Sequence, residues 1–131
     1  MPRGFSLCMA LCLVGIAPLA LADDYAGGAI KSMETAAGEI LTDANGMTLY
    51  TFDKDTAGTS NCYDDCATNW PPLIAAAGAA GDDEYTLVER KDGSKQWAYD
   101  GKPLYLWKKD SKPGDMTGDG VNEVWHVVLE E

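Results

Sequence analysis

The sequence predicts an all-β domain, β-rich with minor helix, in which two tandem repeats of a β-hairpin unit form one compact body. Three observations carry that expectation. Residues match one another at a constant offset of 55. An Asn-Gly or Asp-Gly pair opens each copy of the match, and such pairs favour tight hairpin turns. Aromatic and β-branched residues crowd around those turns, while helical periodicity is weak. A length of 131 residues suits one domain, and 46% hydrophobic with 24% charged residues is the balance of a folded chain.

The first element is an address. Arg3 precedes an apolar run from Leu7 to Leu21 that Pro18 interrupts, and Ala20-Leu21-Ala22 places small residues where a signal peptidase reads. The run falls short of the roughly 20 apolar residues of a retained span. Residues 1–22 are therefore expected to be a cleaved signal peptide, leaving no integral membrane span and a periplasmic or extracellular protein. Cys8 and Cys12 each follow a leucine, a poor fit to lipid attachment, and are expected to leave with the signal. The formal charge is −11 and becomes −12 without Arg3. Such acidity argues against a nucleic-acid partner, which needs clustered Lys and Arg, and against an anionic membrane surface.

Residues 23–38 read as an N-terminal segment ahead of a repeat domain at 39–131, with repeat one at about 39–80 and repeat two at about 81–131. Within the segment, Ile30 to Ala37 has the composition for two helical turns. Glu39 to Thr42 is a strand leading into the Asn45-Gly46 turn. Gly46-Met47-Thr48-Leu49-Tyr50-Thr51-Phe52-Asp53-Lys54-Asp55 follows and aligns with Gly101-Lys102-Pro103-Leu104-Tyr105-Leu106-Trp107-Lys108-Lys109-Asp110. Trp70 and Trp125 keep the same offset. Asp64 to Thr68 suits one helical turn, and the Ala- and Gly-rich stretch Ile74 to Gly81 reads as a connector. Tyr85 to Val88 is a strand joined through Lys91-Asp92-Gly93 to Gln96-Trp97-Ala98-Tyr99. The Asp100-Gly101 turn leads on to a strand at Leu104 to Trp107, and Val124 to Leu129 supplies the last one. Both turns are expected to be two-residue turns with positive φ.

These residues resemble a bacterial family of secreted repeats and predicted lipoproteins of unknown function. Its Tyr-x-(Phe/Trp/Tyr)-x-x-Asp motif occurs as Tyr50-x-Phe52-x-x-Asp55 and as Tyr105-x-Trp107-x-x-Asp110. Cys62-x-x-x-Cys66 followed by Trp70-Pro71-Pro72-Leu73 continues the likeness, as does Pro113-Gly114-Asp115-x-x-Gly118. The resemblance covers about Ile40 to Val128 and implies family and export, with no activity, substrate or catalytic residue attached.

The motif has two readings. Tyr50 and Phe52, two apart in a strand, share one face and supply one core, with Asp55 ending the strand by accepting backbone N–H bonds. Alternatively, the aromatics of both copies line a groove that stacks against a sugar or another flat ligand. Cys62 and Cys66, in an oxidising compartment, are expected to form a disulfide. The sharper alternative is a soft-metal site, Cu(I) or Zn(II), with His126 as third ligand. Asp115-x-Thr117-x-Asp119-Gly120 resembles the opening of a Ca2+ loop, although the position of its bidentate Glu falls on His126. Ser60, Ser94 and Ser111 lack the setting of a catalytic nucleophile, and no phosphate loop or haem-attachment motif is present. The expected function is a non-catalytic binding or interaction module of the cell envelope, with no cofactor, whose partner is an envelope protein or a small ligand. The alternative is a periplasmic metal-binding protein.

Overall fold

The computed structural model describes residues 24–130; the signal-peptide expectation, with Cys8 and Cys12, lies outside the described residues. Strands dominate. In chain order they are β1 (Asp24–Tyr25), β2 (Ile30–Thr35), β3 (Gly38–Asp43), β4 (Tyr50–Phe52), β5 (Tyr85–Glu89), β6 (Lys95–Tyr99), β7 (Lys102–Pro103) and β8 (Trp125–Val127). A short helix, α1 (Asp65–Asn69), interrupts them close to its expected place. The sheets are small: β1-β2-β3, β5-β6-β7 and the pair β4-β8, all antiparallel. Among the described residues no helix is long and apolar enough to cross a membrane.

One element overturns its expectation. Ile30 to Ala37 is not helical: residues Ile30–Thr35 form β2, paired residue for residue with β3 from Ile30↔Asp43 to Thr35↔Gly38. The turn at Ala36-Ala37 has none of the usual Asn-Gly chemistry. Thr35 provides it instead: its hydroxyl accepts the Ala37 N–H at 3.1 Å and donates to the Gly38 carbonyl at 2.7 Å. Inward-facing Ser32 interrupts the apolar alternation that would have marked the strand.

The two marked turns differ from each other. Asp100 and Gly101 both have positive φ, 53° and 81°, and close a two-residue turn between Tyr99 and Lys102. The first turn spans Ala44-Asn45-Gly46, with positive φ only at Gly46, and is closed by the Asp43 N–H donating to Met47. The extra residue explains why the strands just before the turn are equivalent at 56, Leu41 standing where Trp97 does, while Leu49 and Leu104 beyond it keep 55.

Behind each turn, three chain segments close a ring of backbone hydrogen bonds. In the first half Leu41 donates to Val128 (3.1 Å), Val128 to Leu49 (3.1 Å) and Leu49 to Leu41 (3.0 Å). In the second, Trp97 donates to Leu73 (2.9 Å), Leu73 to Leu104 (3.0 Å) and Leu104 to Trp97 (2.9 Å). Each ring borrows its third segment from the other repeat. The last segment of repeat two therefore completes the hairpin of repeat one, and the reverse. The expected strand at Leu104 to Trp107 is reduced to a bridge at Tyr105, because the segment opposite it is Pro71-Pro72, which offers carbonyls but no N–H donors.

The rings sit over an apolar cluster that includes Ile30, Leu41, Leu49, Leu73, Trp97, Leu104 and Val128. A second cluster gathers Tyr50, Cys62, Trp70, Tyr105 and Trp125. Gly118 lies against this aromatic cluster: a Cβ there would stand 2.8 Å from Trp70 Cη2 and 3.0 Å from Trp107 Cδ1. The Trp70 ring is buried between two other rings and cannot swing away. Gly118→Ala is therefore expected to cost roughly 1–3 kcal/mol, the usual range for overpacking, and to alter near-UV circular dichroism. Denaturant melts of the variant check this; an unchanged midpoint would contradict the close approach.

Candidate functional site

The motif residues of the two copies meet at the centre of the molecule. Tyr50 and Tyr105, equivalent positions in the repeat, exchange both backbone hydrogen bonds, at 2.8 and 3.0 Å. Such a pairing of equivalent residues marks a pseudo-two-fold axis between them. Both side chains are fully buried, so each phenol needs an internal partner. That partner comes from the other copy. Tyr50 Oη donates to Asp110 Oδ2 at 2.6 Å, and Tyr105 Oη donates to Asp55 Oδ2 at 2.7 Å.

The second oxygen of each Asp closes its own loop. Asp55 Oδ1 accepts the Asn61 N–H at 2.7 Å; Asp110 Oδ1 accepts the Thr117 N–H at 3.0 Å and the Thr117 hydroxyl at 2.6 Å. Asp55 does accept a backbone N–H, but that of Asn61 in the following loop and beyond the end of β4 at Phe52. Its bond to the tyrosine of the other repeat is the part that local reading misses.

The aromatic residues obey the same symmetry. Phe52 stacks on Trp125 (centroids 4.2 Å apart), Trp125 on Trp70 (3.8 Å) and Trp70 on Trp107 (3.9 Å), a continuous pile of four rings. Tyr50 meets Trp70 edge-on and Tyr105 meets Trp125 edge-on, the geometry that aromatic quadrupoles favour. Trp70 and Trp125 are buried, while Phe52 and Trp107 cap the pile half-buried. Tyr50, Tyr105, Trp70 and Trp125 are turned inward, while Phe52, Trp70 and Trp125 also border a hollow of about 390 Å3.

The loops that follow Asp55 and Asp110 are equivalent but fastened differently. The first holds the expected Cys62–Cys66 disulfide, with Cα atoms 5.2 Å apart and Cys62 fully buried. It also receives buried Arg90, whose Nη1 donates to Ser60 Oγ (2.9 Å) and to Gln96 Oε1 (2.8 Å), and whose Nη2 donates to the Cys62 carbonyl (2.7 Å). Ser60 hydrogen-bonds Tyr105 Oη at 2.6 Å, so the guanidinium joins the network of the motif. The second loop has no disulfide and relies on carboxylates. Asp115 accepts from the Ser111 N–H and hydroxyl, the Lys112 N–H and Lys112 Nζ. These contacts, led by the Ser111 backbone, hold its carboxyl at about 2. Asp119 Oδ1 accepts the Val127 N–H at 3.0 Å.

The proposed metal ligands are dispersed among these duties. Cys62 and Cys66 bond to each other, and His126 Nε2 pairs with Asp53 Oδ2 at 2.8 Å on the surface. Asp115, Thr117 and Asp119 hold separate parts of their loop together. Among the described residues, no three His, Cys, Asp or Glu side chains gather into a group that could hold a metal ion. Ser94 and Ser111 have local partners in Asp92 and Asp115, and Ser60 is bonded to Tyr105 of the other repeat.

Another shallow groove beside this centre, of about 250 Å3, is bounded by Thr51, Phe52, Asp53, Asp55, Asp100 and Lys102. It adjoins a second hollow of about 310 Å3 that shares Thr51, Asp53, Asp100 and Lys102 and adds His126. The pseudo-two-fold axis gives the first a counterpart of about 190 Å3, where Leu106, Trp107, Lys108 and Asp110 replace Thr51, Phe52, Asp53 and Asp55. Fold-equivalent surfaces thus carry different charge: Asp53 becomes Lys108, and Lys102 becomes Met47. The acidic groove had no signature in the sequence, since its walls come from both repeats; the alignment of Asp53 with Lys108 was the available clue.

Comparison with known proteins follows the same division of the chain. A family model described as a secreted repeat of unknown function matches residues 31–74 and 86–129, two copies 55 residues apart. The first match starts inside the segment read as preceding the repeats and includes nearly all of β2. No curated protein matches the chain, and no solved structure matches it.

Burial, and next the bond to a carboxylate, raises the ionisation of Tyr50 well above the ordinary value of 10.0. Burial is also the first cause for Tyr105 and for Tyr85, both raised. Because the folded values exceed the unfolded one, this stabilisation is complete below about pH 10 and is lost as pH rises beyond it. Tyrosinate absorbance from these three residues is therefore expected to appear only together with cooperative loss of near-UV circular dichroism. Ionisation near pH 10 in a still-folded protein would contradict their burial. Asp55 is raised too, burial outweighing Tyr105, the Asn61 N–H and Arg90. Its contribution is complete below the unfolded value of 3.8 and declines as pH rises through the folded one. Asp55→Asn should flatten that decline in melts taken across mildly acidic pH.

Proposed function

Because the chain belongs to the Lipoprotein_15 family of secreted repeats of unknown function, we propose that it is an exported, non-catalytic binding or interaction module of the cell envelope. It acts in the periplasm or outside the cell. One observation carries the reading. The side chains that the sequence singles out for chemistry are committed to holding the interior together, through the Tyr50–Asp110 and Tyr105–Asp55 bonds and the four-ring pile. The functional surface is then what that interior displays: the loops after Asp55 and Asp110, and the groove where Asp53, Asp100, Lys102 and His126 stand around Thr51. The groove's size suits a small polar ligand or a side chain of an envelope protein, with carboxylates to meet a cationic group. No cofactor is assigned.

Photo-crosslinking residues placed singly at Thr51, Lys102 and Thr56 should give discrete adducts in the native envelope, whereas one at Asp92, in the β5–β6 turn, should give none. Adducts at none of the groove or loop positions would overturn the proposal. The competing reading, soft-metal handling through Cys62, Cys66 and His126, needs free thiolates. A thiol count on protein taken from its own compartment is expected to find none at Cys62 and Cys66. Two free thiols that take up stoichiometric Cu(I) against a competing chelator would reverse the assignment.

A further inference from the structure

The contacts that join the two repeats are made between equivalent positions across the pseudo-two-fold axis. Tyr50 meets Tyr105, Trp70 lies on Trp125, and each tyrosine reaches the aspartate of the other copy. The tails are exchanged as well, so that each backbone ring takes one segment from across the axis. A surface of this kind is self-complementary, as in a symmetric dimer. None of these contacts requires both partners to lie on the same chain. The covalent link is the stretch Ala76–Glu84, which is exposed throughout apart from Ala79.

We propose that the inner face of each repeat is a docking surface for the opposite repeat of a second copy of this chain. Two chains then close two composite domains by reciprocal exchange, and the Tyr-to-Asp bonds run between chains. The occupant is specified by the chemistry. A buried phenol, a half-buried carboxylate and an unpaired indole face must all be met at once, in the spacing that this repeat itself presents. The link decides between closing alone and exchanging. Nine residues reach about 30 Å when extended, which allows passage between two composite domains. A link this short also holds the two repeats at an effective concentration of the order of millimolar. Dilute chains therefore close on themselves, and chains folding in crowded conditions exchange.

The test uses two full-length chains with opposite lesions. One carries Tyr50→Ala with Trp70→Ala, so that only repeat two is sound; the other carries Tyr105→Ala with Trp125→Ala, so that only repeat one is sound. Each alone is expected to lack cooperative unfolding. Refolded together, they should form a heterodimer by sedimentation and regain roughly half the wild-type near-UV signal per chain, from one native composite per pair. A mixture that equals the sum of its parts would overturn the proposal. Wild-type protein refolded at increasing concentration gives a second reading that does not depend on the variants. A dimer fraction that grows with concentration and persists on dilution supports exchange; monomer alone up to the millimolar range contradicts it.

Discussion

Burying a tyrosine at the centre of a small β domain imposes one constraint from which most of this structure follows. A phenolic hydroxyl without a partner costs about 1–3 kcal/mol, and a buried carboxylate costs more. Neither repeat meets that requirement from its own sequence, because the Asp of each motif is occupied by its own loop on one side and points across the axis on the other. Two copies resolve it reciprocally. Once Tyr50 and Tyr105 are paired through their backbones, the rings of Phe52, Trp125, Trp70 and Trp107 are brought into one pile, and the tails that carry Trp70 and Trp125 must cross over. The spacing of the motif is thus a requirement of the partner repeat as much as of its own strand.

The departures from symmetry are as informative as the symmetry. One loop is fastened by a disulfide and by the buried Arg90 beneath it; the equivalent loop uses Asp115 and Asp119 as acceptors for its own backbone. A covalent bridge and a set of charge-assisted bonds solve the same closure problem, the first by restricting the unfolded chain and the second by satisfying turn donors. Gln96, fully buried between Arg90 and the Leu104 carbonyl, has Ile40 as its counterpart. At that position the second half is the more polar inside. Outside, Lys108 in place of Asp53 makes the groove on the Asp53 side the more acidic of the two.

Much of this was legible in the residues. The constant offset, the turn pairs and the aromatic strands identified an all-β body in two halves, and a pair of cysteines in an exported chain identified the bridged loop. Three features were not legible, each for a physical reason. The strand at Ile30–Thr35 was hidden because a buried serine broke its alternation and a threonine hydroxyl replaced the usual turn residues. The shortened strand after Leu104 followed from prolines on a segment distant in sequence. The exchange between repeats escaped because strand-by-strand reasoning assigns an aspartate to its nearest backbone donors, and its second oxygen has no local signature. An in-register duplication whose motif ends in a carboxylate is the signal that would have suggested it, since equivalent residues tend to meet on a two-fold axis.

Double-mutant cycles on folding stability test the reciprocal pairing most directly. Tyr50→Phe combined with Asp110→Asn should show a coupling of about 1.5–3 kcal/mol, the range for hydrogen bonds to charged groups, and Tyr105→Phe with Asp55→Asn should behave alike. The same-repeat pairs, Tyr50 with Asp55 and Tyr105 with Asp110, should be additive within about 0.5 kcal/mol. Coupling within repeats and additivity between them would contradict the account.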